Sequence, residues 1–480
     1  MSNSKAVKAG IGYTIGNYLL KGLSFLTIPI FARLLSTDDY GIVNTFGAYE
    51  SIMFVIIGMA IHTSFKNARY RYKLISEGAK KGMDYRTYVS NAFLLIHISC
   101  LIWMIVAIFF RKPISQALKL DPILVFLLIA YSTCNAILIA YNSDVSINYE
   151  YKKYLTIAGF NSVSNILLSI ILILFVWPHS RYIGRIIGTV IPILVIGIFL
   201  TINQLKKNKP ANFIPMMKWG IKYSLPIVPH GISQIILSSF DRIMITNMIS
   251  NSATGLYSFA YNIFTILQVT STSIDTVWNP WFYERRKEND FNSIKKVSTM
   301  YTLFLLSFAS FVMLISPELV SVLGGAKYAD SVACVIPIVC GGFFTFLYNI
   351  PVTVEYYHEK TKYIALATMC AAGVNIFTNY VFIKKFGYIA AAYTTLVTYF
   401  LYFLFHYYMA RKIEGRSLFS GKAIVLSSCG IITVGVVSLL TINLMWLRLI
   451  LALFVLIGYL IFAETQAGIV SVVIDKIRKK

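Results

Sequence analysis

Lys21 stands in the middle of an apolar run, "NYLLKGLSFLTIPIF" at residues 17–31, where an unpaired ammonium would cost at least about 2.5–3.5 kcal/mol if the run crossed a bilayer. Thr14, Asn17, Lys21 and Ser24 follow one another at spacings of 3, 4 and 3, so a helix carries them on one face. A cation on such a face attracts an anion, and the amide and hydroxyls beside it can hydrogen-bond a polyhydroxylated group. His230, Gln234, Ser238 and Asp241 make a second stripe, and Thr265, Gln268, Thr272 and Asp275 a third. Glu50 with Ser51, Gly58 and His62 makes a fourth. Polar faces of this kind turn away from lipid toward a partner or water, and together they imply an aqueous cavity bounded by four helices. The competing reading is a dry contact between helices, for instance Lys21 paired with Glu50. His230, Asp275 and Glu50 are candidates for contact, for counter-ions or for protonation coupled to an ion gradient. Arg242, directly after Asp241, reads as an ion pair or helix cap.

The elements that must position these groups follow from composition. The 480 residues are 57% hydrophobic and 13% charged, with a mean hydropathy of +0.69, too little polar surface to cover a water-soluble globule. The chain is expected to be an all-α integral membrane protein. Apolar stretches able to cross a core of about 30 Å lie at roughly 10–33, 42–62, 88–110, 122–141, 155–176, 183–203, 219–245, 254–278, 297–316, 331–353, 363–383, 387–410, 423–442 and 446–464, which predicts about 14 transmembrane helices. "MSNSKAVKAG" reads as a polar lead-in to the first span rather than a cleaved signal. The six cysteines all lie in apolar runs, with no CxxC pair or metal-ligand spacing, so no metal or cofactor is expected. No GxxxxGK[ST] occurs, which argues against nucleotide hydrolysis.

The net charge of +23 would suggest nucleic acid in a soluble protein, but its placement explains it otherwise. Alternate connections hold most of the basic residues, among them Lys66, Arg69, Arg71, Lys80, Lys81, Lys206, Lys207, Lys209, Arg285, Arg286, Lys295, Arg411 and Lys412, joined by Lys5, Lys8 and the tail Lys476, Arg478, Lys479 and Lys480. The positive-inside rule then puts both termini in the cytoplasm, and the excess becomes topology plus attraction to anionic lipid head groups. Lys21, Lys222 and Arg242 remain as the basic residues within spans, with Lys21 alone near mid-depth. A shift of 214 residues lays "LLSTDDYGIVNTFGAY" (34–49) on "MISNSATGLYSFAYNI" (248–263) and sets Lys8 on Lys222, Ser24 on Ser238, Arg71 on Arg285 and Lys73 on Lys287. The expected architecture is therefore two pseudo-symmetric six-helix lobes, 1–210 and 211–415, followed by two extra helices and a basic tail, 416–480. Parallel repeats of this kind are a transporter architecture with the site near the membrane midplane. Every outward connection is short, leaving the bundle itself to do the work.

Local signals add detail. "SLPIVPHG" puts Pro226 and Pro229 in the seventh span and predicts a helix break. Gly12 with Gly16, and Gly184 with Gly188, have the GxxxG spacing of close helix packing. "HTSFKNARYRYK" (62–73) and "WNPWFYERRK" (278–287) alternate aromatics with cations, as suits segments at the membrane surface that meet anionic head groups.

"FARLLSTDDYGIVNTFGAY", "YSLPIVPHGISQIILSSFDRIMI", "ATGLYSFAYNIF" and "WNPWFYERR" resemble the signatures of O-antigen and capsular polysaccharide flippases of the multidrug/oligosaccharidyl-lipid/polysaccharide exporter superfamily. The resemblance implies two lobes around a cationic cavity, in the cytoplasmic (inner) membrane of a bacterium, that move an undecaprenyl-diphosphate-linked oligosaccharide to the outer leaflet by alternating access. It makes the partners a polyprenyl-diphosphate-linked oligosaccharide and the bilayer, with other polysaccharide assembly proteins as further candidates and no nucleic acid. The substrate-contacting candidates are then Lys21, Asn17, Lys66, Arg69, Lys222, His230, Gln234 and Arg285, with Glu50 and Asp275 for coupling. The rivals are a multidrug or ion antiporter or lipid II-type flippase of the same superfamily, and a membrane-embedded polymerase or ligase. A mid-membrane lysine disfavours an exporter of cationic drugs, and an enzyme of that kind needs a large external loop, so no enzymatic activity is expected.

Overall fold

A computed structural model describes residues 3–467. The tail residues Lys476, Arg478, Lys479 and Lys480 lie outside the described residues, as do the side chains of Lys5 and Lys8. Among the described residues every regular element is helical and no strand occurs. We number the long segments α1 (Asn3–Leu34), α2 (Thr37–Gly58), α3 (Tyr85–Phe109), α4 (Pro122–Ile147), α5 (Tyr151–Ile171, prolonged by a π turn, Leu172–Val176) and α6 (Arg181–Lys207). The seventh, α7, comes in pieces: Phe213–Ser224, a 3-10 turn Leu225–Ile227, Val228–Ile235, a π turn Ile236–Phe240 and Asp241–Met248. Then follow α8 (Asn251–Lys287), α9 (Phe291–Leu314), α10 (Val332–Leu347 and Asn349–Tyr357), α11 (Thr361–Phe386), α12 (Ile389–Glu414), α13 (Gly421–Leu440) and α14 (Met445–Ala467).

Each of the fourteen predicted spans is helical, and among the described residues twelve helices are long and apolar enough to cross a membrane. The two spans that fall short, α7 and α8, carry the second and third polar stripes. No piece of α7 exceeds 12 residues: Pro226 and Pro229 remove backbone donors where the 3-10 turn forms, and the π turn Ile236–Phe240 makes the second interruption. The 37-residue α8 is long enough but holds Gln268, Thr272 and Asp275 in its middle. Local chemistry also sets the ends. Ser36 and Asp39 close a reciprocal capping box at the start of α2, while Met59 and Ala60, both left-handed, turn the chain out of it.

Packing divides the chain into two compact units, Met1–Thr254 and Gly255–Lys480. The repeat boundary at residue 210 is a reading of internal symmetry; in packing, α7 goes with the helices before it. Thr45 and Thr246 share a hydrogen bond of 2.6 Å, and Thr246 another of 2.7 Å with Thr254. In the first unit α4 lies against α2, α3 and α6, and the core includes the buried rings of Phe65, Tyr85, Tyr88 and Phe93. Gly12 and Gly16 bring α1 onto Tyr151 and Leu155 of α5, and Gly184 and Gly188 bring α6 onto Ile173 and Ser169. The GxxxG pairs therefore serve close packing, as their spacing implied. In the second unit α10 is the enclosed helix, set among α9, α12 and α13. The final pair is pinned there by Arg448, whose guanidinium makes two 2.7 Å bonds to Glu318 and one of 2.7 Å to the Leu314 carbonyl at the end of α9.

Candidate functional site

Along α1 the polar stripe is present, and its members differ in how they are held. Thr14 and Ser24 donate to carbonyls of their own helix, Gly10 and Leu20, at 2.9 and 3.0 Å, which satisfies their hydroxyls locally. Asn17 accepts from the Tyr154 hydroxyl of α5 at 2.7 Å, which orients its amide. Lys21 is exposed, outside the packed interior of the first unit. Glu50 lies elsewhere, 8% exposed inside that interior, with its Oε1 accepting from Asn135 Nδ2 of α4 at 2.6 Å.

The stripe on α7 changes face along its length. Gln234 and Ser238 are exposed and His230 is partly exposed, but Asp241 is 1% exposed. The π turn Ile236–Phe240 lies between them and holds an extra residue in its turn, so regular spacing no longer predicts a shared face. The Nδ1 of His230 is buried with no hydrogen-bond partner among the described residues. Arg242 donates to the Ser238 carbonyl at 2.9 Å. In the second unit Thr265, Gln268 and Thr272 of α8 are exposed. Asp275 accepts from Asn349 at 2.8 Å, where α10 breaks at Tyr348.

At the helix ends that carry the basic segments, the candidate cations divide. Arg69 is held by both oxygens of Glu77 at 2.6 and 2.7 Å, and Arg285 by Glu288 at 2.6 Å with Asp290 at 4.0 Å. Their charges are locally compensated. Lys66 and Lys222 are exposed and form no ion pair among the described residues. The aromatics of these segments anchor them: Arg71 lies over Trp219 at 5.2 Å and Tyr72 stacks on Tyr88. Near the end of α8, Arg286 and His358 both meet Glu414 at 2.9 Å.

Sequence reasoning missed two features. Arg185, left out of the basic residues counted within spans, lies inside α6, donating to Asn165 and to Ser169 (2.8 Å for the latter) and sitting 3.9 Å over the Phe31 ring. The signal was its place four residues beyond Arg181 in a continuous apolar helix. His406 and Glu355 are both fully buried and bonded to each other at 2.5 Å. They are 51 residues apart in the chain, and no local pattern joins them.

Comparisons with known proteins place this arrangement. A protein of Haemophilus influenzae described as an uncharacterized membrane protein is 25% identical over 398 residues, which cover 77% of this chain and 90% of that protein. Among solved structures, the lipid II flippase MurJ in an inward closed conformation is similar with a TM-score of 0.72 and 17% identity, over 95% of this chain and 98% of that one. An inward-facing multidrug resistance MATE family transporter of the MOP superfamily is similar with a TM-score of 0.64 and 13% identity, over 82% and 94%. These likenesses establish the fold, and a match over 95% of the chain has to extend into the C-terminal helix pair. The chain is a multi-pass membrane protein and belongs to the polysaccharide biosynthesis protein family, which matches residues 6–286, more than half of its length.

Proposed function

We propose that this chain moves a polyprenyl-diphosphate-linked oligosaccharide from the cytoplasmic to the outer leaflet of a bacterial cytoplasmic membrane, by alternating access, for cell-surface polysaccharide synthesis. Such a cargo has a diphosphate and a sugar that cannot enter hydrocarbon, and a lipid tail that need not leave it. The observation that carries the reading is Lys21. It lies in a helix whose span Gly12–Leu34 is apolar enough to cross the membrane, and its side chain is exposed rather than sealed in the unit's core. In this role Lys21 attracts the diphosphate at mid-depth, Asn17 and Gln234 bond the sugar, and Lys66 and Lys222 gather the anion at the cytoplasmic mouth. Arg69 and Arg285 act only when their carboxylate partners yield. His230 contributes its imidazole to the same polar wall. Family membership supports the pathway, and the likeness to a lipid II flippase supports a lipid-linked cargo.

Deleting the gene should cause lipid-linked glycan to accumulate on the inner leaflet, and Lys21→Ala and Lys21→Glu should fail to restore surface polysaccharide at normal protein levels. Full display by both variants would remove the assignment. The composition of the accumulated lipid separates an oligosaccharide cargo from lipid II. Glu50 and Asp275 are the proposed coupling carboxylates, and flipping in vesicles should then respond to an imposed proton gradient and lose that response in Glu50→Gln or Asp275→Asn.

A further inference from the structure

The first unit holds a second polar surface, outside the stripes of α1 and α7. The two left-handed residues after α2, Met59 and Ala60, start a 3-10 turn, Ile61–Ser64, and so carry His62 and Lys66 to one wall of an open cleft of about 530 Å³. The last turns of α4 make the facing wall with Asn142, Ser143 and Ser146, and Tyr154 of α5 completes the lining. This volume is within the range of about 300–1,000 Å³ that small-molecule sites occupy. Ile139 and Ile147 join the three polar residues at spacings of 3, 1, 3 and 1, which is one helix face.

The lining is selective in its chemistry. It includes no carboxylate, whereas nearby Arg69, Arg86 and Lys153 are paired with Glu77, Asp144 and Glu150. An anion entering the cleft therefore meets Lys66 without a built-in competitor. The Oδ1 of Asn142 is buried with no hydrogen-bond partner among the described residues, a state that costs free energy until a donor arrives. Hydroxyls and an amide suit a polyol, isoleucine and tyrosine side chains suit the apolar face of a pyranose, and one ammonium suits a phosphate. Tyr154 also fixes Asn17, which joins the cleft to the α1 stripe.

We infer that this cleft binds a glycosyl phosphate, and that it reads the sugar attached directly to the diphosphate of the cargo; the inference rests on the transport reading above. Lys66 takes the phosphate, and Asn142, Ser143 and Ser146 discriminate the sugar hydroxyls. The test uses the full chain in nanodiscs with three probes: undecaprenyl diphosphate, the same lipid bearing N-acetylglucosamine, and soluble N-acetylglucosamine 1-phosphate. Wild type should bind the sugar-bearing lipid more tightly than the bare diphosphate. Asn142→Ala and Ser146→Ala should each weaken the sugar-bearing lipid by about three- to tenfold, the effect of one neutral hydrogen bond, without weakening the bare lipid. Ser146 is exposed, so its variant carries the test if Asn142→Ala fails to fold. Equal loss for both lipids, or no loss, would overturn the inference while leaving transport intact. Soluble sugar phosphate binding as tightly as the glycosylated lipid would overturn the cargo assignment. If wild type binds and flips neither lipid, the transport reading itself is what fails.

Discussion

Glu77 decides what Arg69 can do. The guanidinium and the Leu74 amide together hold the Glu77 carboxyl down at about 2, far below its ordinary range. Because that value is depressed, the pairing is fully present above the group's ordinary value of 4.5 and is lost only as pH falls toward 2. Across pH 5 to 8 the charge on Arg69 thus stays masked, and a binding titration over that range should show no step from this pair. Glu77→Gln removes the mask. It should tighten binding of undecaprenyl diphosphate and make that binding more salt-dependent, since an uncompensated surface cation is screened by added ions. Unchanged affinity and salt dependence would place Arg69 outside the path of the anion. Lys66, which carries no such partner among the described residues, should instead lose affinity when changed to Met.

At the scale of helices, the contact of α6 with α5 is the most easily tested. A Cβ on Gly188 would stand 2.5 Å from the Ser169 Cα and 2.6 Å from its amide nitrogen, both backbone atoms that cannot swing aside. Gly188→Leu should destabilise the first unit by about 1–3 kcal/mol or more, read as a lower melting temperature in detergent. Gly159→Leu on α5, where an added Cβ meets nothing within 4 Å, is the matched control. This packing was legible in the sequence because GxxxG is a local pattern of small residues. So were the fourteen helices, from apolar length, and the break in α7, from its prolines. What was not legible depended on phase and on distant partners. A π turn has no residue signature, so Asp241 was placed on the exposed stripe it leaves. Glu77 lies eight residues from Arg69, across a turn whose geometry spacing does not give. The cleft joins the segment that follows α2 to α4 and α5 through residues that are individually ordinary. The stripe residues Lys21, Asn17 and Gln234 stood out because a polar group in an apolar run is informative by itself.

For the molecule as a whole, orientation in the membrane determines what every proposed contact means. With fourteen crossings, the basic connections after α2, α4, α6, α8, α10 and α12 would share one side by parity alone, and the positive-inside rule predicts that side to be the cytoplasm. The rule acts during insertion on charges close to span ends, so it applies whatever the lobes later do. Single-cysteine variants in a background lacking the six native cysteines test it directly. Lys80, Lys112, Lys209 and Lys327 are all exposed and lie in connections rather than spans. In intact cells a membrane-impermeant maleimide should label Lys112→Cys and Lys327→Cys, and should reach Lys80→Cys and Lys209→Cys only after the membrane is opened. The reverse pattern would put Lys66 and the glycosyl-phosphate cleft on the outer face. A cargo made in the cytoplasm would then meet that cleft only after crossing, and its role would become release rather than recognition.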